Sequence, residues 1–556
     1  MRKLRLIGLL MCVVIAFSAG ACGKSPVKDD TSDPSKQQED LTKTQLYVNN
    51  YNGGFGGEWL NKAIIDFQEK YKDFEFEVGK KGIQIWPGTG KQSGKGLLSQ
   101  MKFLEDHIFI TESVFYRDYV SEGAMLDITD VVTEKLTDFG EEKTIESKFL
   151  PEQKEFLNVG TASEPKYYAI PHYFGTNGIA YDVELFDQYR LYFDKDGKMT
   201  KRSTDTGLSA GGDGVEGTFD DGLPATYSQF FELCDKLKNK LGVTPLIWSG
   251  QYLFYTNYFL SMLAAEANGK AGHMLTQTLS GISDRNVASY DNNGITTDSV
   301  TIDRANRYKV YNQAGYYYAL KFIKQLVDGN YYDENSFING FSHTDTQDMF
   351  IMSGREPSID RIAMIIEGNW WENEAESTFK AMENTYSDAG RNDRKFGFMP
   401  LPKPNADYVG EKHALVECNT AYMFINSQIS DEMKLAAKLF IKYINTDEKL
   451  REFSVITNTP KSLKVDLTDD DLAKMSYYGK SVNEFKNSPY TETIYQCSTD
   501  PVYLSNMGTT FSLDAVFTWG VDYTYPAKSF FDNRNLSVSD YYSGYIRNWE
   551  NKFSKL

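Results

Sequence analysis

Strand-like and helix-like stretches alternate along most of this chain, and that alternation limits its fold more than any other feature. Gln45 to Asn49 reads as a short strand, broken by the loop Tyr51-Asn52-Gly53-Gly54-Phe55-Gly56-Gly57. From Glu58 to Tyr71 the apolar residues Leu60, Ala63, Ile64, Phe67 and Tyr71 recur at spacings of three and four, one face of a helix. Strand, glycine loop and helix in that order open a βαβ unit. The pattern returns: His107 to Thr111 predicts a strand, and Val114 to Val120 starts a helix. Thr226-Tyr227-Ser228-Gln229 is a capping box before the apolar face Phe230, Leu233, Cys234, Leu237 and Leu241, with Gly242 as the stop. Helical faces follow around Ala319–Val327 and Leu435–Ile444. The fold class expected is α/β, and no repeat of fixed period is present. The first glycine loop lacks both the G-x-x-x-x-G-K-[ST] and the G-x-G-x-x-G spacing, so the case for a phosphate cradle is weak. Glycines at the carboxyl end of a strand still let a ligand approach the backbone closely.

At 556 residues the chain is too long for one ordinary domain, and two or three are expected. Its 59 Lys and Arg stand against 77 Asp and Glu, a formal charge of −18 that repels phosphate backbones and excludes nucleic acid as a natural partner. Five Cys in such a length are no disulfide framework.

The N-terminus reads as an address. Arg2, Lys3 and Arg5 precede an apolar run from Leu6 to Phe17, which has the length of a signal-peptide core and not of a bilayer span. Ser18-Ala19-Gly20-Ala21-Cys22 resembles a bacterial lipobox, in which Cys22 is lipidated and becomes the mature N-terminus. It departs from the usual pattern in having Ala19 where Leu is common. Ala19-Gly20-Ala21 also fits the cleavage site of ordinary secretion, and both peptidases would cut the same bond. A polar stretch from Gly23 to Thr44 follows, unable to bury a core, and reads as a leash. Residues 1–21 are thus expected to be a signal peptide and 22–44 a lipidated tether.

Two segments read as insertions. The region 194–222 interleaves Gly with carboxylates, among them Asp194, Asp196, Asp213, Asp220 and Asp221. Such a set suits a hard cation, so these five are candidate ligands of a structural calcium, although the EF-hand register fails. A solvated acidic loop is the other reading. The segment from Gly269 to Arg307 is polar and irregular and reads as a surface excursion. No cofactor is required by any motif: H-E-x-x-H, Cys-x-x-Cys and G-x-S-x-G are all absent.

Aromatic residues beside polar ones cluster instead at the ends of expected strands. Glu58 and Trp59 follow the first glycine loop. Glu112, Phe115 and Tyr116 close the second strand. Trp248 and Tyr255 follow Pro245-Leu246-Ile247, and Trp370-Trp371 follows the strand-like run Ile362 to Ile366. Flat rings stack on the C–H faces of sugars while carboxylates and amides bind hydroxyls, the makings of a mostly apolar cleft with a few convergent polar groups. Adjacent rings diverge at a helix start, so Trp370 and Trp371 are not expected to share one core pocket.

These residues carry a resemblance. The leader at Cys22, YNGGFGGEWL (51–60), IFITESVFYRDYVSEGAMLDIT (108–129), YAIPHYFGTNGIAYDVELF (168–186), TFDDGLPATYSQFFELC (218–234), RIAMIIEGNWWENEA (361–375) and FGFMPLPKP (396–404) occur in an order and spacing similar to the extracellular solute-binding proteins of ABC importers. The likeness is to the carbohydrate-binding branch that includes maltodextrin-binding proteins. It implies a two-lobed clamp of the type II periplasmic-binding-protein kind, with a hinge crossed three times, placed near Pro171–Gly178, Arg361–Ile366 and Cys418–Tyr422. Lobe 1 is then expected at 45–172 plus 362–417, and lobe 2 at 173–361 plus 418–556. Phe174 and Asn177 would line the hinge, and Trp519 would join Glu58, Trp59, Glu112, Phe115, Tyr116, Trp248, Tyr255, Trp370 and Trp371 around the ligand. The implied protein is a non-enzymatic, monomeric receptor for a carbohydrate, lipid-anchored on the outer face of the cytoplasmic membrane and serving the permease of an ABC transporter. A secreted glycoside-processing enzyme, or the same clamp carrying a non-sugar solute such as a peptide, are the alternatives.

Overall fold

The computed structural model describes residues 33–90, 93–202, 207–418 and 420–556. The leader, Cys22 and the first part of the expected tether lie outside the described residues. Where the tether is described, it is not a leash. Gln37 Nε2 donates to Ile85 O at 2.9 Å, Asp40 N donates to the Gln84 side chain at 2.7 Å, and Gln84 Nε2 donates to Gln38 O at 2.8 Å. Polar side chains thus tie residues 37–40 along an edge strand that hydropathy alone does not anticipate.

Two sheets organise the fold. In the first, the strands run Ile83–Thr89, Thr44–Asn50, Ile108–Glu112, Ala421–Ile425 and Ile170–Pro171. Thr44–Asn50 pairs in parallel with both its neighbours, whereas Ala421–Ile425 is antiparallel to Ile108–Glu112. In the second, the order is Thr244–Ile247, Ile362–Gly368, Asn177–Asp182 and Phe396–Met399. Helix Glu58–Lys70 covers the first sheet with its predicted stripe, Leu60, Ala63, Ile64 and Phe67 all being buried. Helix Tyr227–Asp235 starts on its expected cap, the Thr226 side chain accepting from Gln229 N, and a following turn stops at Gly242 in a left-handed conformation (φ 67°).

The strand pairings correct the expected lobe boundaries. Ile362–Gly368 lies between Thr244–Ile247 and Asn177–Asp182, and Phe396–Met399 pairs with Asn177–Asp182, so 362–417 builds the second lobe and not the first. Ala421–Ile425 is held between Ile108–Glu112 and Ile170–Pro171, and the helices Asp431–Ile444 and Asp447–Thr457 pack on the first lobe through Phe440 against Phe67 and Phe453 against Trp59. The chain therefore passes between lobes at 172–176, after strand His413–Val416 and before strand Ala421–Ile425, and again between Leu463 and Tyr478, and Arg361–Ile366 is no crossing. A buried strand has the same hydrophobic pattern in either sheet; only its long-range partners assign it.

The segment from Gly269 to Arg307 is also more regular than its composition. Helix Phe254–Thr278 continues through a kink at Gly269 (φ 68°, ψ 172°), and Gly281–Tyr290 pairs with Ile295–Ile302 as a bulged antiparallel hairpin. The acidic insertion does not gather its carboxylates. Asp194 accepts from Asp196 N and Lys198 N in a turn, and Asp221 accepts from Gly217 N. Asp213 accepts from Val215 N, and Asp220 accepts from Gly212 N and Asp213 N and faces His413 Nε2 at 3.1 Å. Among the described residues no three of His, Cys, Asp and Glu are arranged to hold a metal ion. Glycines are interleaved here because the backbone must come close enough to donate to these carboxylates: Gly211, at φ +57°, lies hard against Asp220.

Candidate functional site

The cleft between the lobes is built from strand ends. At the end of Thr44–Asn50 the chain turns through Gly53 (φ 57°) and Gly54 (φ 85°), left-handed conformations that favour glycine. A Cβ on Gly54 would stand 2.7 Å from Cδ1 of Trp370 and 2.9 Å from Oε1 of Glu374, so this first-lobe loop touches the second lobe directly. At the end of Ile108–Glu112 stands Glu112, which accepts a hydrogen bond from the Tyr173 hydroxyl in the first hinge crossing. The Phe55 ring packs between the two lobes, 4.0 Å from Tyr173 and edge-on to Trp370 at 6.2 Å.

The second lobe answers with the first turn of helix Phe254–Thr278, with His343 at the start of helix His343–Met352, and with the turn after Ile362–Gly368 that carries Trp370 and Glu374. Together these enclose a cavity of about 430 Å³ lined by Tyr51, Asn52, Gly53, Gly54, Gly90, Glu112, Ser113, Phe254, Tyr255, Tyr258, His343, Trp370 and Glu374. A second cavity of about 200 Å³ shares Ser113 and Tyr258 with it and extends the cleft past Phe115, Thr420, Gln496, Tyr503, Met507 and Phe511. Such dimensions and such a mixture of rings and polar groups are those of a small-molecule site.

Carboxyls are the main acidic groups in and behind the cleft, and burial keeps protons on Glu112 and Glu367. Burial, reinforced by the negative charge of Glu374, pushes the Glu112 carboxyl up to about 8. The same two causes push Glu367, at the end of its strand, to about 8. Glu374 accepts from Gln347 Nε2 at 2.7 Å and stands 3.6 Å from His343 Nε2, and that contact raises the pKa of His343 above its ordinary value.

Of the residues expected from sequence, Glu112, Phe115, Tyr255 and Trp370 line the cleft. The others do not. Trp59 is in the first-lobe core, 4.9 Å from His172 and 5.2 Å from Phe453, while Glu58 beside it is exposed. Tyr116 is buried and donates to Leu157 O at 2.7 Å. Phe174 and Asn177 are buried at the first hinge crossing, Phe174 against Tyr495. Trp248 packs with Tyr332 and Phe337, and Trp371 is enclosed by Phe350, Phe379, Phe396 and Tyr478. Trp519 stacks on Tyr523 at 3.9 Å, away from both cavities. Tyr51, Tyr258, His343, Glu374, Tyr503 and Phe511 went unforeseen. The spacing of Tyr255 and Tyr258, three apart on one helix, and of Trp370 and Glu374, four apart, was a usable signal; nothing local to His343 was.

Two α/β lobes, three hinge crossings and a cleft lined from both sides define a two-lobed ligand-binding protein. The family model of the bacterial extracellular solute-binding proteins matches residues 104–449, more than half of the chain, and the chain belongs to that family. Its role is accordingly to bind a solute outside the cytoplasm. Solved structures share the fold at low identity. RafE in complex with raffinose is 14% identical with a TM-score of 0.51, covering 91% of this chain and 100% of its own. A chitin oligosaccharide binding protein is 14% identical with a TM-score of 0.53, covering 92% and 100%. Maltose-bound MalE3 from T. maritima is 14% identical with a TM-score of 0.52, covering 92% and 99%. No curated protein sequence matches the chain. No helix among the described residues is long and apolar enough to cross a membrane.

Proposed function

We propose that this protein is a cell-surface receptor that captures an oligosaccharide in the interlobe cleft and delivers it to the permease of an ABC importer. The observation that carries the reading is the pairing of rings and hydrogen-bonding groups across the cleft: Tyr51 and Glu112 from one lobe, Tyr255, Tyr258, Trp370 and Glu374 from the other. Rings offer stacking surfaces for the apolar faces of sugars, and the carboxyls and Asn52 offer partners for their hydroxyls. The fold shared with proteins that bind raffinose, a chitin oligosaccharide and maltose supports the same class of ligand. Closure needs no chemistry. A ligand held by both lobes makes contacts in the closed form that the open form cannot make, and so shifts the population toward closure. Lipidation of Cys22 after removal of residues 1–21 would tether the receptor to the outer face of the membrane, beside its permease.

Calorimetric titration against a panel of oligosaccharides tests the reading. Binding of at least one, without turnover, is expected. A panel without a single binder, together with a hit among peptides or other solutes, would overturn the sugar assignment. Cleavage of an oligosaccharide by the pure protein would point to a glycosidase instead.

A further inference from the structure

Two contacts bracket the cleft, and each sets a glycine of one lobe against a ring of the other. Gly54 of the first lobe meets Trp370 of the second, and Gly508 of the second lies hard against the ring of Phe115 of the first, with no room for a Cβ. The first pair lines the larger cavity and the second pair lines the smaller one. The two cavities meet at Ser113 and Tyr258, which line both. Ser113 is in the left-handed region (φ 54°), where a serine stays only if its surroundings impose it. Its turn at the end of Ile108–Glu112 leaves Glu112 in the larger cavity and carries Val114 and Phe115 to the smaller.

Volume decides what the smaller cavity can hold. Sites for a whole small ligand run to roughly 300–1,000 Å³. The larger cavity, about 430 Å³, reaches that range by itself, and the smaller, about 200 Å³, does not. It has room for one end of a ligand whose body lies in the larger cavity, and not for a separate solute. Its far wall is held rigid. The Tyr503 hydroxyl donates to Gln496 Oε1 at 3.0 Å, and Gln496 Nε2 donates to Glu417 O at 3.3 Å. The Phe511 ring stacks on Tyr503 with centroids 5.1 Å apart, and Tyr311 and Trp549 continue the stack behind it. A wall fixed in this way loses little freedom when a ligand settles on it. It comes from residues 496–513, C-terminal to the part of the chain that the family model matches.

Resting on the carbohydrate reading above, we propose that the smaller cavity is a subsite for the terminal unit of an oligosaccharide that bends at Ser113 and Tyr258, so that this receptor prefers chains long enough to fill both cavities. The subsite has walls from both lobes, Ser113 and Phe115 from the first and Tyr258 and the C-terminal segment from the second. A terminal unit seated there therefore adds contacts to the closed form and strengthens closure.

The test is calorimetry on the mature protein with malto-, xylo- and chito-oligosaccharides, each from the disaccharide to the pentasaccharide. In at least one series, affinity is expected to rise at least tenfold from the disaccharide to the tightest longer member. Met507→Trp, which fills the smaller cavity, is expected to cut that gain to within about threefold, with a circular dichroism spectrum and melting curve showing that the variant is folded. Should Met507→Trp fail to fold, Phe115→Ala, which removes a ring from the same wall and is expected to cut the gain likewise, replaces it. A gain below about threefold in every series that binds, or a gain that survives in a folded variant, would overturn the proposal. If no member of any series binds, it is the carbohydrate reading that falls, and the proposal falls with it.

Discussion

Trp370 and Trp371 are neighbours in sequence and face opposite ways: Trp370 lines the interlobe cavity, and Trp371 is enclosed in the second-lobe core by Phe350, Phe379, Phe396 and Tyr478. Trp370→Ala should therefore weaken oligosaccharide binding by more than tenfold and, because the ring is itself buried against Phe55 and Tyr255, also lower the melting temperature. Trp371→Ala should cost about 3–5 kcal/mol of stability while removing no ligand-facing ring. Calorimetric titration and urea denaturation of the two variants separate the effects. Unchanged affinity in a folded Trp370→Ala variant would remove that ring from the binding site.

Gly54 is the point where the first-lobe loop meets Trp370, at φ 85° and with no space for a Cβ. Gly54→Val should hold the lobes apart, reducing affinity by about tenfold or more and increasing the radius of gyration of the ligand-saturated protein in X-ray scattering. A variant that closes and binds like the wild type would show that the loop yields at no cost.

Stability should be greatest in mildly acidic solution. The carboxyls of Glu112, Glu367 and Glu417 are pushed by burial to about 8, and His413 is raised to about 9 despite its burial, by Glu266 first and then Asp220. All four bind protons more tightly folded than unfolded, so their contribution is lost as pH rises from the unfolded values toward 8 and 9. Glu266, held at about 2 mainly by Lys403, works in the other direction: its contribution is present above about 4.5 and is lost as pH falls toward 2. The melting temperature should accordingly peak near pH 5 and decline by pH 8.5. His413→Gln should cost more stability at pH 6 than at pH 9; equal costs would show that His413 is not charged in the fold.

Cys22 is expected to carry the lipid. Cys22→Ser should abolish incorporation of labelled palmitate and release the protein into the medium, and retention of the label would place the modification elsewhere.

Local sequence was informative wherever local chemistry decides structure. The stripe of helix Glu58–Lys70, the Thr226 cap and the Gly242 stop all follow from periodicities and side chains within a few residues. Four of the residues picked at strand ends do line the cleft, because in an α/β sheet the carboxyl ends of strands are where a ligand has access. Local patterns could not tell Trp59, Trp248 and Trp371 from Trp370, since a buried ring and a ligand-facing ring have the same neighbours in sequence. Burial is a property of what arrives from far away, such as Phe453 against Trp59 or Phe337 against Trp248.

What the sequence by itself determined is the class: an acidic α/β protein whose glycine loops and strand-end rings suit a binding cleft, and whose motifs resemble those of two-lobed solute-binding proteins. Tertiary structure alone decided how the chain is shared between the lobes. It sends Ile362–Gly368 to the second sheet and Ala421–Ile425 to the first, and it sets Asp220 of the glycine-rich acidic loop against His413. It also brings Glu112, His343 and Glu374, far apart in the chain, to one cavity. The physical reason is the same in each case: strand partners, ion-pair partners and cavity walls are set by contacts between distant segments, which leave no periodicity in the residues that make them.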